Sequence, residues 1–115
     1  VVSHMRQFPE MIIVDKRCAR EVGAFPQSVR EDLADAVARL EQGQTLSMPL
    51  SRSMPGIGVG VHELRLHDRS GAYRVVYVLA SRSGVRLIHA FKKTKQKTPK
   101  RHVDVVKQRI KELNS

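Results

Sequence analysis

Two arginines and a pair of adjacent lysines in the second half of the chain have residue types suited to chemistry at a phosphate. Arg65 stands in V-H-E-L-R-L-H, Arg74 in A-Y-R-V-V-Y-V-L-A, and Lys92 and Lys93 close the run I-H-A-F-K-K. A guanidinium is permanently charged and presents a planar fork to two oxygens at once, which suits Arg74 as a clamp on a pentavalent phosphorane. A lysine crowded by other cations loses basicity and can then move protons near neutral pH, which makes Lys92 and Lys93 candidate proton-transfer groups. His89 competes for that role, since an unperturbed imidazole titrates near neutrality. Its parity with Leu87 and Phe91 also fits a partly buried strand histidine. No H-x-x-x-H, paired-cysteine or clustered-carboxylate pattern supplies a metal ligand set, so the expected chemistry needs neither metal nor cofactor.

The charge around these residues is concentrated. The segment from His89 to His102 holds six Lys or Arg, two His and no acid. Residues 1–60 carry seven basic and seven acidic residues, whereas residues 61–115 carry fourteen and four and therefore the whole net charge of +10. One half of the molecule is built to face an anion, whether nucleic acid, an acidic protein or an anionic membrane surface. Lys95, Lys97, Lys100 and Arg101 fit contacts to backbone phosphates, with a merely solvated loop as the alternative. Phe91, at a strand end beside the lysines, is placed to stack a base, although packing also explains it. His62, His67 and His102 read as surface groups.

These side chains must be held by strands. Three runs, 61–67, 72–80 and 85–91, are joined by the short glycine-bearing connections D-R-S-G and S-R-S-G, the pattern of an antiparallel meander. Alternation puts Leu64 and Leu66 on one face and Glu63 and Arg65 on the other. In the next strand Tyr73, Val75, Tyr77 and Leu79 make a core row, which leaves Arg74 opposite, beside Arg65. Upstream, M-I-I-V (Met11–Val14) reads as a short buried strand and Lys16–Gly23 as a short helix. Val29, Leu33, Ala36, Val37 and Leu40 mark one face of a longer helix that ends near Gly43. Residues 44–60, with Pro49, Pro55 and G-I-G-V-G, read as a loop; the glycines lack the Lys-Ser/Thr of a phosphate loop. After the basic run, Thr98 as N-cap and Pro99 as first helical residue open a closing helix with Val103, Val106, Ile110 and Leu113 on one stripe. The expected fold is α+β in the order β-α-α-β-β-β-α, a small antiparallel-rich sheet with helices packed on one face.

A chain of 115 residues supports one core, read as a single domain over residues 5–115, with V-V-S-H before Met5 read as a cloning scar. The lone Cys18 allows no internal disulfide and points to a reducing compartment. No apolar run approaches the roughly 20 residues that span a bilayer, and no signal peptide is visible. A cytoplasmic protein without membrane contact is expected.

The segment V-H-E-L-R-L-H-D-R-S-G-A-Y-R-V-V-Y-V-L, followed by I-H-A-F-K-K-T-K-Q-K-T-P, resembles the RelE/ParE toxin superfamily, within it the phage-derived HigB-like branch. The resemblance is dense from Val61 to about Leu113 and looser over Met11–Gly43. It implies a RelE-like fold and a type II toxin that cleaves mRNA, an endoribonuclease working with the ribosome and without metal. The implied partners are mRNA, the ribosome and a co-expressed antitoxin carrying a helix-turn-helix DNA-binding domain. Arg74 matches the sheet arginine that such nucleases use at the scissile phosphate, Arg65 a basic strand residue, and Lys93, with Lys92 beside it, a second functional arginine. Pro99 stands where the RelE tyrosine falls, so the resemblance names no general acid. The alternatives are a ParE-like inhibitor of DNA gyrase, which shares the fold without the nuclease, and a non-enzymatic RNA- or DNA-binding module.

Overall fold

The computed structural model describes residues 11–80, 84–94 and 96–114. The proposed scar at residues 1–4 and the start at Met5 lie outside them, as does Lys95. The elements are β1 (Ile12–Val14), α1 (Lys16–Gly23), α2 (Gln27–Glu41), β2 (Ser51–Ser53), β3 (Val61–Asp68), β4 (Gly71–Ala80), β5 (Gly84–Lys93) and α3 (Lys100–Leu113). They form an α+β fold around one five-stranded mixed sheet in the order β1-β5-β4-β3-β2. β3, β4 and β5 make the expected meander. β1 joins its far side parallel to β5, pairing Ile12–Val14 with Val85–Leu87.

Alternation works as expected in β3 and β4. Leu64, Leu66, Tyr73, Val75 and Tyr77 face α1 and α2, where they meet Cys18, Val29, Leu33, Ala36 and Leu40 in the larger core. Asp15 starts α1 by accepting the backbone N–H groups of Arg17 at 2.8 Å and Cys18 at 3.3 Å. Burial pushes the Cys18 thiol up to about 12, with Glu21 adding to the effect, so it packs as an inert small hydrophobe.

Three expectations need correction. The stretch read as a loop contains β2, whose S-R-S pairs antiparallel with His62–Leu64; three polar residues carry no hydrophobic pattern to reveal a strand. Pro99, not Thr98, occupies the N-cap of α3, and no side chain caps that end. The helices do not share one face. Val106 of α3 packs with Val61, Val76, Ile88 and Phe91, and with the partly buried Ile110, in a second cluster on the other side of the sheet. The apolar residues at Val76 and Val78 are the reason: β4 is hydrophobic on both faces, so both must be covered.

Candidate active site

β3 and β4 pair so that Arg65 lies directly opposite Arg74, both on the sheet face that α3 covers in part. Like charges directly opposite one another disfavour strand pairing, so this register works against stability. Arg74 is also buried, with 7 % of its surface exposed. Its Nε lies 3.6 Å from Glu63 Oε1 and has no hydrogen-bond partner, while a terminal nitrogen donates to the Tyr73 carbonyl at 3.1 Å. Burial, and secondarily Arg65, pulls the Arg74 guanidinium below its ordinary value, against the pull of Glu63. The carboxylate partner of Arg74 is Glu63, in a buried pair. Asp68, at the end of β3, accepts hydrogen bonds from Ser70 at the turn.

Arg74 forms part of the wall of an open cleft of about 710 Å³ whose other lining residues are Arg52, Arg65, Ala72, Lys93, Thr94 and Gln96. Among the described residues, four cations and no acid line it. Burial and then Arg74, with smaller contributions from Arg65 and Arg52, hold the Lys93 amine below its usual value, against Glu63. A second, mostly apolar recess of about 400 Å³ adjoins it, sharing Arg65, Ala72 and Arg74 and adding Pro49, Leu50, Leu66 and His67. Together they form a basic trough with an apolar shelf. Among the described residues, no group of three or more His, Cys, Asp and Glu could hold a metal ion.

The remaining candidates sit elsewhere. Lys92 pairs with Tyr73 in register and holds its Nζ 5.7 Å from the centre of that ring, on the face away from the cleft. Phe91 pairs with Arg74 but is buried at 6 %, where His102 stacks flat on it at 4.0 Å, so its ring has no open face for a base there. Lys100 forms an ion pair with Asp104 at 3.0 Å. Lys97 and Arg101 are exposed. His89 is 4 % exposed and wholly engaged: its Nδ1 lies 3.1 Å from Glu21 Oε1 and its Nε2 lies 2.8 Å from His102 Nδ1. It therefore has no ring nitrogen to offer a substrate. Its expected parity with Leu87 fails because Ile88 is an extra residue in β5, between the pairs Val76–His89 and Tyr77–Leu87. Such a bulge re-aims the side chains after it.

Sequence reasoning missed Arg52, which sits in the unrecognised β2, and the group Glu21, His102 and Arg109 that surrounds His89. Glu21 is 68 residues from His89 and 88 from Arg109, so no spacing rule could join them.

Residues 20–111 match the family described as phage derived protein Gp49-like (DUF891). The chain belongs to that family. Gp49-like proteins are RelE-type toxins, and the structure agrees with this in fold. It superposes on a mutant of the Escherichia coli toxin RelE in its free state with a TM-score of 0.61 and 20% identity, covering 92% of this chain and 99% of that one. The toxin–antitoxin complex RelBE2 of Mycobacterium tuberculosis aligns with a TM-score of 0.48 and 14% identity, over 79% of this chain and 99% of that one. No curated protein matches the sequence. This Gp49-like chain has the fold of RelE, with its arginine pair and Lys93 gathered in one basic cleft.

Proposed function

We propose that this Gp49-like toxin is a metal-independent mRNA endoribonuclease that acts on message held by the ribosome, in the cytoplasm, and is restrained by a co-expressed antitoxin with a helix-turn-helix domain. The observation that carries the nuclease is Arg74, a buried guanidinium with an unpartnered Nε set beside Arg65 and Lys93 in a cleft lined by cations. Like charges crowded into one cleft are a costly arrangement, and a bound phosphodiester would offset them. Arg74 and Arg65 then hold the two non-bridging oxygens as charge builds on the phosphorane. Lys93, its basicity lowered, donates a proton to the leaving 5′-oxygen. The attacking 2′-hydroxyl makes RNA and not DNA the substrate. Few aromatics are available for base stacking, which favours a message positioned by the ribosome.

The test is cleavage-site mapping on one translated mRNA in a purified translation system, comparing wild type with Arg74→Ala, each with and without ribosomes. Cuts in register with codons, present only with ribosomes and lost in the variant, are expected. An Arg74→Ala protein that cuts as fast as wild type sinks the site assignment. Toxicity without any RNA cleavage sinks the nuclease.

A further inference from the structure

Beyond the residues that line the cleft, four titratable side chains from three elements meet at the edge of β5. β1 ends its pairing at Leu87, so the edge of β5 is open beyond that point, and Glu21 of α1 fills the gap. Its Oε1 accepts the Ala90 backbone N–H at 3.1 Å. From the other side of the sheet, Arg109 of α3 reaches the same carboxylate at 2.9 and 3.0 Å and the Ile88 carbonyl at 2.9 Å. Burial raises the Glu21 carboxyl, but Arg109, the Ala90 N–H and His89 outweigh it, and the group stays ionised with its affinity for protons lowered.

An ionised carboxylate only accepts hydrogen bonds, and that fixes the rest of the chain. Arg109 also lies 3.2 Å from His89 Nδ1, but the two hydrogens of that Arg109 nitrogen already point to Glu21 and the Ile88 carbonyl. His89 Nδ1 therefore carries a proton and donates it to Glu21. His89 Nε2 is then bare and accepts from His102 Nδ1, at 2.8 Å. The second nitrogen of His102, Nε2, is in turn left with its lone pair, which accepts a long hydrogen bond of 3.5 Å from Nε of the exposed Arg101, a contact that a substrate hydroxyl must displace. His102 is half-buried and stacked on Phe91, the register partner of Arg74. Thr94 and Gln96, which line the cleft, belong to the connection that runs from β5 to the helix carrying His102.

The geometry points to His102 Nε2 as the general base of RNA cleavage, with Glu21 and His89 as positioning residues that aim it and stabilise the imidazolium it becomes. This rests on the nuclease reading above. In the step, His102 Nε2 takes the proton of the 2′-hydroxyl, the 2′-oxygen forms its bond to phosphorus, and the bond from phosphorus to the 5′-oxygen breaks. The Lys93 ammonium protonates that leaving oxygen, giving a 2′,3′-cyclic phosphate and a 5′-hydroxyl; water then returns a proton to Lys93 and removes one from His102. A Glu–His–His chain suits the base, because a positive charge arriving at His102 can be shared with His89 and is met by the Glu21 carboxylate.

Among the described residues, the charged and titratable groups that act on His102 are His89 on β5, Glu21 on α1, and Arg101 on its own helix. Burial, His89 and Arg101 lower its affinity for protons, and Glu21 raises it; the net lowering favours the neutral imidazole that a base must be.

The experiment measures initial cleavage rates with ribosomes from about pH 5 to about pH 9 for wild type, His102→Ala, His102→Gln, Glu21→Gln and Arg74→Ala. Nitrogen NMR of the imidazoles in the same proteins reads the tautomers independently of activity. Wild type should lose rate on the acid side as His102 takes up a proton. Both His102 variants should lose roughly 10²–10⁴-fold in kcat with KM unchanged, and added imidazole should restore part of the loss in His102→Ala. Glu21→Gln should lower kcat and move the acid limb to lower pH, since it removes the group that favours the imidazolium. NMR should find His102 protonated on Nδ1. His102 variants that cleave at the wild-type rate with the wild-type pH profile, while Arg74→Ala is inactive, overturn the base assignment and leave the nuclease standing. A His102 protonated on Nε2 overturns the relay. Wild-type protein that cuts no RNA overturns the nuclease and the base together.

Discussion

Arg74 and Arg65 lie directly opposite each other in register, and at the residue scale the proposed nuclease rests on that pairing. A protein that needed only stability would place an opposite charge there. Replacing Arg74 with alanine should lower RNA cleavage by roughly 10²–10³-fold, the range for removing one transition-state donor, while RNA binding changes little. Single-turnover rates and an equilibrium binding assay separate the two. Arg74→Lys should recover little of the activity, because a point charge does not replace a fork that engages two oxygens.

At the scale of elements, the cap of α1 matters more than its length suggests. Asp15 accepts from two backbone N–H groups and pairs with Arg17, which in turn bridges to Glu112 of α3. Asp15→Ala should destabilise the protein by about 1 kcal/mol, read as a lower urea midpoint. The hydrogen bond from Arg17 leads the effects that bring the Asp15 carboxyl down to about 2 from 3.8. A depressed folded-state value means that its stabilisation is complete above the unfolded value and disappears as pH falls through about 2. The wild type should therefore lose more stability between about pH 4 and about pH 2 than Asp15→Ala does, in urea melts at both ends of that window. On the opposite face, Val106 is 1 % exposed in the small cluster that seats α3. Val106→Ala removes buried methyl groups and should cost about 2 kcal/mol, measured by thermal melting.

For the whole molecule, the controlling fact is that the second half carries the entire +10. Binding to RNA should weaken steeply with salt, the logarithm of the association constant falling linearly with the logarithm of salt concentration. Neutralising Lys97, which is exposed, should reduce the magnitude of that slope by about 1 while leaving the cleavage step of bound substrate unchanged. The same charge is distributed unevenly in role. Arg52, Arg65, Arg74 and Lys93 line the cleft, whereas Lys92 lies against Tyr73 across the sheet and Lys100 is tied to Asp104.

Local pattern and chemistry determined much of this by themselves. The period-two alternation in V-H-E-L-R-L-H and A-Y-R-V-V-Y-V-L was enough to put Arg65 and Arg74 on one face, because side chains on a strand can only alternate. The spacing of Val29, Leu33, Ala36 and Leu40 was enough to place α2, and the glycine-bearing turns to order the meander. Tertiary structure decided the rest, wherever the outcome depends on residues far apart in the chain. β2 has no apolar pattern and exists because β3 offers it an edge. A single extra residue at Ile88 reverses the parity that joined His89 to Leu87. α3 crosses to the other face because Val76 and Val78 need cover. The contacts among Glu21, His89, His102 and Arg109 form only when α1 and α3 close on the same strand edge from opposite sides, and hydrogen bonds between such distant residues leave no periodicity in a sequence.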